Sequence, residues 1–113
     1  MERKGPIEVS NFMACDLRIG TIQSATLLEG ARRPAYVLHI DFGALGILKS
    51  TAQLVQDYTP TALVGRQVAA VVNLPPKQVG GHQSRCLVLG AVQGEHVALL
   101  EVGSQVPPGT PIA

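Results

Sequence analysis

The chain has 113 residues, 46% of them hydrophobic and 15% charged, with a formal net charge of +1. That length fits one domain over residues 1–113, able to bury roughly two thirds of its unfolded surface. The small net charge excludes capture of a nucleic acid by bulk electrostatics, so any such binding needs a local basic cluster or a dimer joining two clusters.

With no Trp, two Tyr and two Phe, the core must be aliphatic, and so few charges on a small protein favour self-association. No apolar run approaches the ~18 residues of a membrane span. No apolar stretch follows Met1–Pro6 to act as a signal, so a soluble, cytoplasmic protein is expected. Cys15 and Cys86 lack the spacing of a metal or redox pair and are expected to be reduced, buried small hydrophobes.

In chain order, Ser10-Asn11 before Phe12 and Met13 predicts a short capped helical turn within 7–14, pinned by its aromatic side chain. A first strand is predicted over 16–28, with a phase change at Thr21-Ile22 beside Gly20 that signals a bulge or bend. Glu29–Pro34 is a turn carrying the arginine pair Arg32-Arg33. A second strand follows over 35–42, with Tyr36, Leu38, Ile40 and Phe42 on one face. A third strand is predicted over 47–54. Thr59-Pro60 then supplies a helix cap and a first-turn proline, and Gly65 a C-terminal stop, for one short helix.

Residues 68–74 and 86–92 read as fourth and fifth strands apolar enough to be buried on both faces, and 96–102 as a sixth. Between the fourth and fifth, Asn73–Arg85 is a loop stiffened by Pro75-Pro76, freed at Gly80-Gly81, and rich in polar side chains. The end of the chain, from Val106 through Ile112, is predicted as an extended tail. Five or six short strands with one short helix after the third are the order of an all-β, OB-type Greek-key barrel, which binds ligands across strands 2 and 3 and the flanking loops. That architecture would gather Arg32, Arg33, Lys49 and Lys77 near Gln53 and the 73–85 loop.

No catalytic constellation is visible. His39, His82 and His96 sit on three separate segments without metal-ligand spacing, and the carboxylates are scattered singly. His82 and Cys86 lie four positions apart along a loop-strand junction, where a base does not meet a thiol, and Cys86 reads as core. No glycine-rich loop opens a helix. No cofactor and no metal are therefore expected, and the protein is read as a non-enzyme. Tyr36 and Phe42 share an apolar face, which leaves a thin basic patch without stacking platforms. A high apolar content with few charges suits polypeptide binding better, and the terminal apolar segments, with Ile7, Val9, Phe12, Val106 and Ile112, are expected to form a dimer interface.

Asp16-Leu-Arg-Ile-Gly-Thr-Ile22, Ile40-Asp-Phe-Gly43, Lys49-Ser-Thr-Ala-Gln53, Gly65-Arg-Gln-Val68 and Asn73-Leu-Pro-Pro-Lys-Gln-Val-Gly-Gly-His-Gln-Ser84, followed by Leu87-Val-Leu-Gly90, occur here in that order. Together they resemble the tRNA-binding domain family over about residues 12–109. This is the OB-fold module appended to some tRNA synthetases and found alone as dimeric tRNA-binding proteins. The Ala-Arg-x-Pro-Ala turn, the Ser-x-Ala-Gln segment and the Asn-x-Pro-Pro loop are most similar to the family's export-related chaperones.

The resemblance implies a non-catalytic homodimer that binds unfolded preproteins and the export motor SecA, with tRNA as the alternative ligand and no membrane insertion. It carries the ligand loop onto Asn73, Lys77, His82 and Ser84, and the third-strand site onto Lys49, Ser50 and Gln53. Two departures stand out. Arg85 occupies a position commonly Glu in the family, and the 77–80 segment is leaner in Lys and Arg than usual, which weakens the tRNA alternative.

Overall fold

The computed structural model describes residues 2–113. The chain runs through α1 (Val9–Met13), β1 (Leu17–Leu27), β2 (Tyr36–Asp41), β3 (Ile47–Ala52) and α2 (Pro60–Leu63). It continues with β4 (Gln67–Val71), β5 (Lys77–Val79), β6 (His82–Ser84), β7 (Leu87–Val88), β8 (Gly90–Gln93) and β9 (His96–Leu99). Five strands form one antiparallel sheet in the order β3-β2-β1-β4-β7, curled into a nearly closed barrel of the OB type.

Curvature comes from the long β1. Its first half pairs with β4 and its second half with β2, and the register with β2 slips between Ile22 and Ser24. The expected irregularity is therefore a β-bulge, placed just after the sequence phase change. Gly20 has another reason to lack a side chain. A Cβ there would lie 2.5 Å from Ile40 and 2.6 Å from the Phe42 ring, so the two bulky residues occupy the space it leaves.

The barrel interior holds Ile22, Tyr36, Leu38, Ile40, Phe42, Leu54, Val68, Ala70 and Cys86. Burying each of the larger apolar side chains contributes about 1.5–3 kcal/mol. α2 plugs one end with the fully buried Leu63, and its start is the predicted one: the Thr59 hydroxyl accepts from the Ala62 N–H, with Pro60 in the first turn.

Beside the first half of β1 the tail takes over where β2 stops. The Ile19 N–H donates to Thr110 O, the Gly109 N–H to Ile19 O and the Ile112 N–H to Leu17 O. Val106 is tied in through both its main-chain groups to the Gln67 amide. Val106 and Ile112, expected on a dimer interface, are thus already half-buried against their own barrel.

Four local expectations are corrected. α1 is capped by the main chain at Glu8 rather than by Ser10 or Asn11, and Phe12 stays 47% exposed instead of pinning the segment. Cys15 is exposed, whereas Cys86 is buried as expected. The run 86–92 is two strands rather than one doubly buried strand. After Leu89 the chain leaves β4, and β8 pairs with β9 in a separate hairpin on which Val92 is 68% exposed. The 73–85 loop contains a second hairpin, β5–β6, turned by Gly80-Gly81 with both residues at positive φ, the requirement of a two-residue type I′ turn.

Candidate ligand groove

The β5–β6 hairpin is seated by its own apolar residue. Val79 and Ala31 pack on a small cluster of Leu28, Ala35 and Val37, which explains why Val37 is buried on the face of β2 opposite the main core. With Gly80 against Leu28, the hairpin stands over the outside of β2 and β3. Lys77 is thereby carried toward the 29–34 turn.

Three hydrogen bonds join β3 to the chain leaving the hairpin. The Arg85 N–H donates to Lys49 O at 2.7 Å, the Thr51 N–H to the Ser84 hydroxyl at 3.1 Å, and the Ser50 hydroxyl to Cys86 O at 3.0 Å. They close the barrel seam along 49–51 and 84–86. Farther along, no backbone hydrogen bond joins 51–53 to 87–89, and two grooves of about 990 and 780 Å³ meet there, both lined by Arg33, Thr51, Ala52, Gln53 and Leu87.

The larger groove has an apolar floor of Ala35, Ala52, Leu74, Pro75 and Cys86. Its rim carries Arg32, Arg33, Lys77 and Arg85, all exposed and none in an ion pair, and no carboxylate lines it. The site is an apolar trough with a cationic edge.

The expected ligand residues divide. Arg32, Arg33, Gln53, Lys77 and Ser84 line this groove. Ser50 is 1% exposed with its hydroxyl on Cys86 O, so it closes the seam and cannot meet a ligand. Asn73 is also engaged, accepting from the Asp16 N–H and donating to Ala14 O, which fastens the segment before β1 to the end of β4. Lys49 and His82 face each other, the ammonium donating to His82 Nδ1 at 3.1 Å, outside the groove lining.

Leu74, Pro75, Arg85 and Leu87 are groove residues that the sequence reading did not select as ligand contacts. Arg85 had a signal, its departure from the family's usual acid. Leu87 alternates with Cys86 on one short segment, so burial of Cys86 places Leu87 outward.

The other histidines and the buried thiol are accounted for locally. His39 lies 3.1 Å from the Ser24 hydroxyl. Burial pushes the Cys86 thiol up to about 11, a protonated and unreactive group at neutral pH. His96 donates from Nδ1 to Asp57 at 2.9 Å, and Asp57 also accepts from the Val97 N–H, clamping the β8–β9 hairpin to the chain between β3 and α2.

The hydrogen bond from His96 lowers the Asp57 carboxyl, helped by the Val97 N–H, and the same bond with the Asp57 charge raises His96, with Glu95 adding a smaller raise. A raised His contributes fully below its unfolded value near 6.5 and loses that contribution as pH rises through the folded value. A lowered Asp contributes above its unfolded value near 3.8 and loses it as pH falls. The clamp is strongest from about pH 4 to 6.5. Thermal unfolding at about pH 5.5 and about pH 8 should show wild type losing more stability at the higher pH than His96→Gln does.

Residues 17–111 match the family model described as "Putative tRNA binding domain". Among solved structures, the chaperone CsaA of Bacillus anthracis str. Ames superposes with a TM-score of 0.93 at 44% identity, covering 96% of this chain and 100% of that one. CsaA of Picrophilus torridus gives a TM-score of 0.89 at 38% identity with the same coverage. Among curated relatives, the methionine–tRNA ligase of Methanothrix thermoacetophila is 33% identical over 109 residues, 96% of this chain. The chain spans only 16% of that ligase's length.

Proposed function

The chain belongs to the tRNA-binding domain family, and from that premise we propose that it is a non-catalytic, CsaA-like chaperone that holds unfolded polypeptides, including precursors destined for export, in the groove along the barrel seam. The observation that supports this most is the make-up of that groove. Most of its lining is apolar, and the charged side chains that line it, Arg32, Arg33, Lys77 and Arg85, are all cations. Unfolded chains expose apolar side chains and main chain together, and such a trough can take both.

A second reading, tRNA held at the same place, draws on the unpaired rim cations Arg32, Arg33, Lys77 and Arg85 and on the synthetase relatives. It lacks an aromatic platform, because Tyr36 and Phe42 are 5% and 0% exposed and lie in the core. The working form is a cytoplasmic homodimer. On α1 and just before it, Ile7, Val9, Phe12 and Met13 are 71%, 75%, 47% and 64% exposed, an apolar face that a second copy would cover.

Light scattering coupled to gel filtration, run with a reduced unfolded polypeptide and separately with bulk tRNA, tests these readings together. The expected result is a dimer that co-elutes with the polypeptide. Co-elution with tRNA alone would reverse the order of the two readings, and a monomer would remove the proposed interface.

A further inference from the structure

We propose that the groove takes its polypeptide as an added β-strand, hydrogen-bonded to the open edge of β3 at Thr51 and Gln53 with an acidic residue or the chain's carboxylate over the arginine rim; this rests on the polypeptide reading above. The register of β3 carries the first half. The Phe42 N–H donates to Gly46 O. In the β2–β3 register this makes Leu38/Ser50 and Tyr36/Ala52 the mutually bonded pairs. Thr51 and Gln53 then turn their main-chain groups away from β2. The outward bonds of Lys49 O to Arg85 and of the Thr51 N–H to Ser84 confirm the alternation.

Beyond them Thr51 O and the Gln53 N–H have no partner among the described residues. They stand at the junction of the two grooves. An acceptor and a donor two residues apart on a strand edge match what an extended peptide offers. A phosphate group offers Thr51 O no donor, whereas every second residue of an extended peptide does.

Charge supplies the orientation. Arg32, Lys77 and Arg85 line only the larger groove, which has no carboxylate, Arg33 lines both, and Glu95 lines only the smaller one. A bound segment is therefore placed with its negative end toward Arg32 and Arg33.

Backbone chemistry tests the mode. The probe is a fluorescein-labelled peptide, Val-Ala-Val-Thr-Leu-Ala-Asp-Glu, and two versions of it N-methylated at alternate residues in opposite phase. Only every second N–H of an added strand faces its neighbour. One methylated version should therefore lose about 10-fold or more in affinity, and the other should bind within about threefold of the parent.

On the protein, Gln53→Pro removes the donor. The Leu54 N–H donates to Ala52 O across Gln53, and no non-glycine residue has positive φ, so Gln53 sits in an inverse γ-turn with φ near −75°, which proline adopts. Gln53→Pro should bind the parent peptide about 10-fold more weakly than Gln53→Ala does, the two variants being equally stable to heat, because only proline removes the main-chain donor. Equal binding by both methylated versions, or equal losses in Gln53→Pro and Gln53→Ala, would overturn strand addition while leaving polypeptide binding intact. Failure of the parent peptide to bind wild type, alongside capture of a full-length unfolded polypeptide, would overturn it as well. Failure with both ligands would remove the polypeptide reading itself.

Discussion

Gly109→Ala should destabilise the fold by about 2–5 kcal/mol. Two penalties coincide. Gly109 has φ +89°, a region that costs an L-residue about 1–2 kcal/mol, and its new Cβ would run into the carbonyl oxygen of Phe42. That neighbour is main chain and cannot rotate away, so overpacking adds about 1–3 kcal/mol. Gly43 faces the reciprocal problem against Pro108 O, because the tail replaces β2 beside β1 at this point. Urea unfolding followed by circular dichroism reads the change. A loss below about 1 kcal/mol would mean that the tail detaches from β1 without consequence for the fold.

The second large effect concerns the rim. Reversing two charges at once, Arg33→Glu with Lys77→Glu, should weaken tRNA retention by about 100-fold or more, since each cation lost to phosphate removes about 1.5–3 kcal/mol before repulsion is added. Capture of an uncharged unfolded polypeptide should change by less than about threefold, because the apolar floor and the β3 edge are untouched. Both side chains are exposed and unpaired, so the fold should be unaffected. Filter retention for tRNA and anisotropy for the polypeptide measure the two arms. Equal losses in both would make the cations, and not the trough, the binding determinant.

The barrel was legible in the sequence because its signals are local. Alternation on 36–42, the Thr59-Pro60 start of α2 and the phase change in β1 each follow from a few adjacent residues. What escaped depends on partners distant in the chain. The 86–92 run looks uniformly apolar, yet it breaks because Gly90 turns away to lie against Val97, where a Cβ would be only 2.6 Å from the side chain. Ser50 looks like a polar strand residue open to ligand, and only the return of Cys86 beside it shows where its hydroxyl goes. Asn73 is similar, committed to Asp16 and Ala14 more than fifty positions earlier. The β5–β6 hairpin was the legible feature left unread. Gly80-Gly81 between Val79 and His82 is a two-residue turn signal in its own right, obscured by the prolines just before it.

The most direct test of the seam groove as a polypeptide site is an anisotropy titration of a reduced unfolded polypeptide at about 50 and about 200 mM salt, with tRNA titrated in parallel. Four rim cations on a single-stranded phosphate backbone predict about a 50-fold loss of tRNA affinity across that range. An uncharged polypeptide, held by apolar contacts and main-chain hydrogen bonds, should change by less than about threefold. A polypeptide affinity that falls as steeply as that of tRNA, or no polypeptide binding at either salt, would contradict the account.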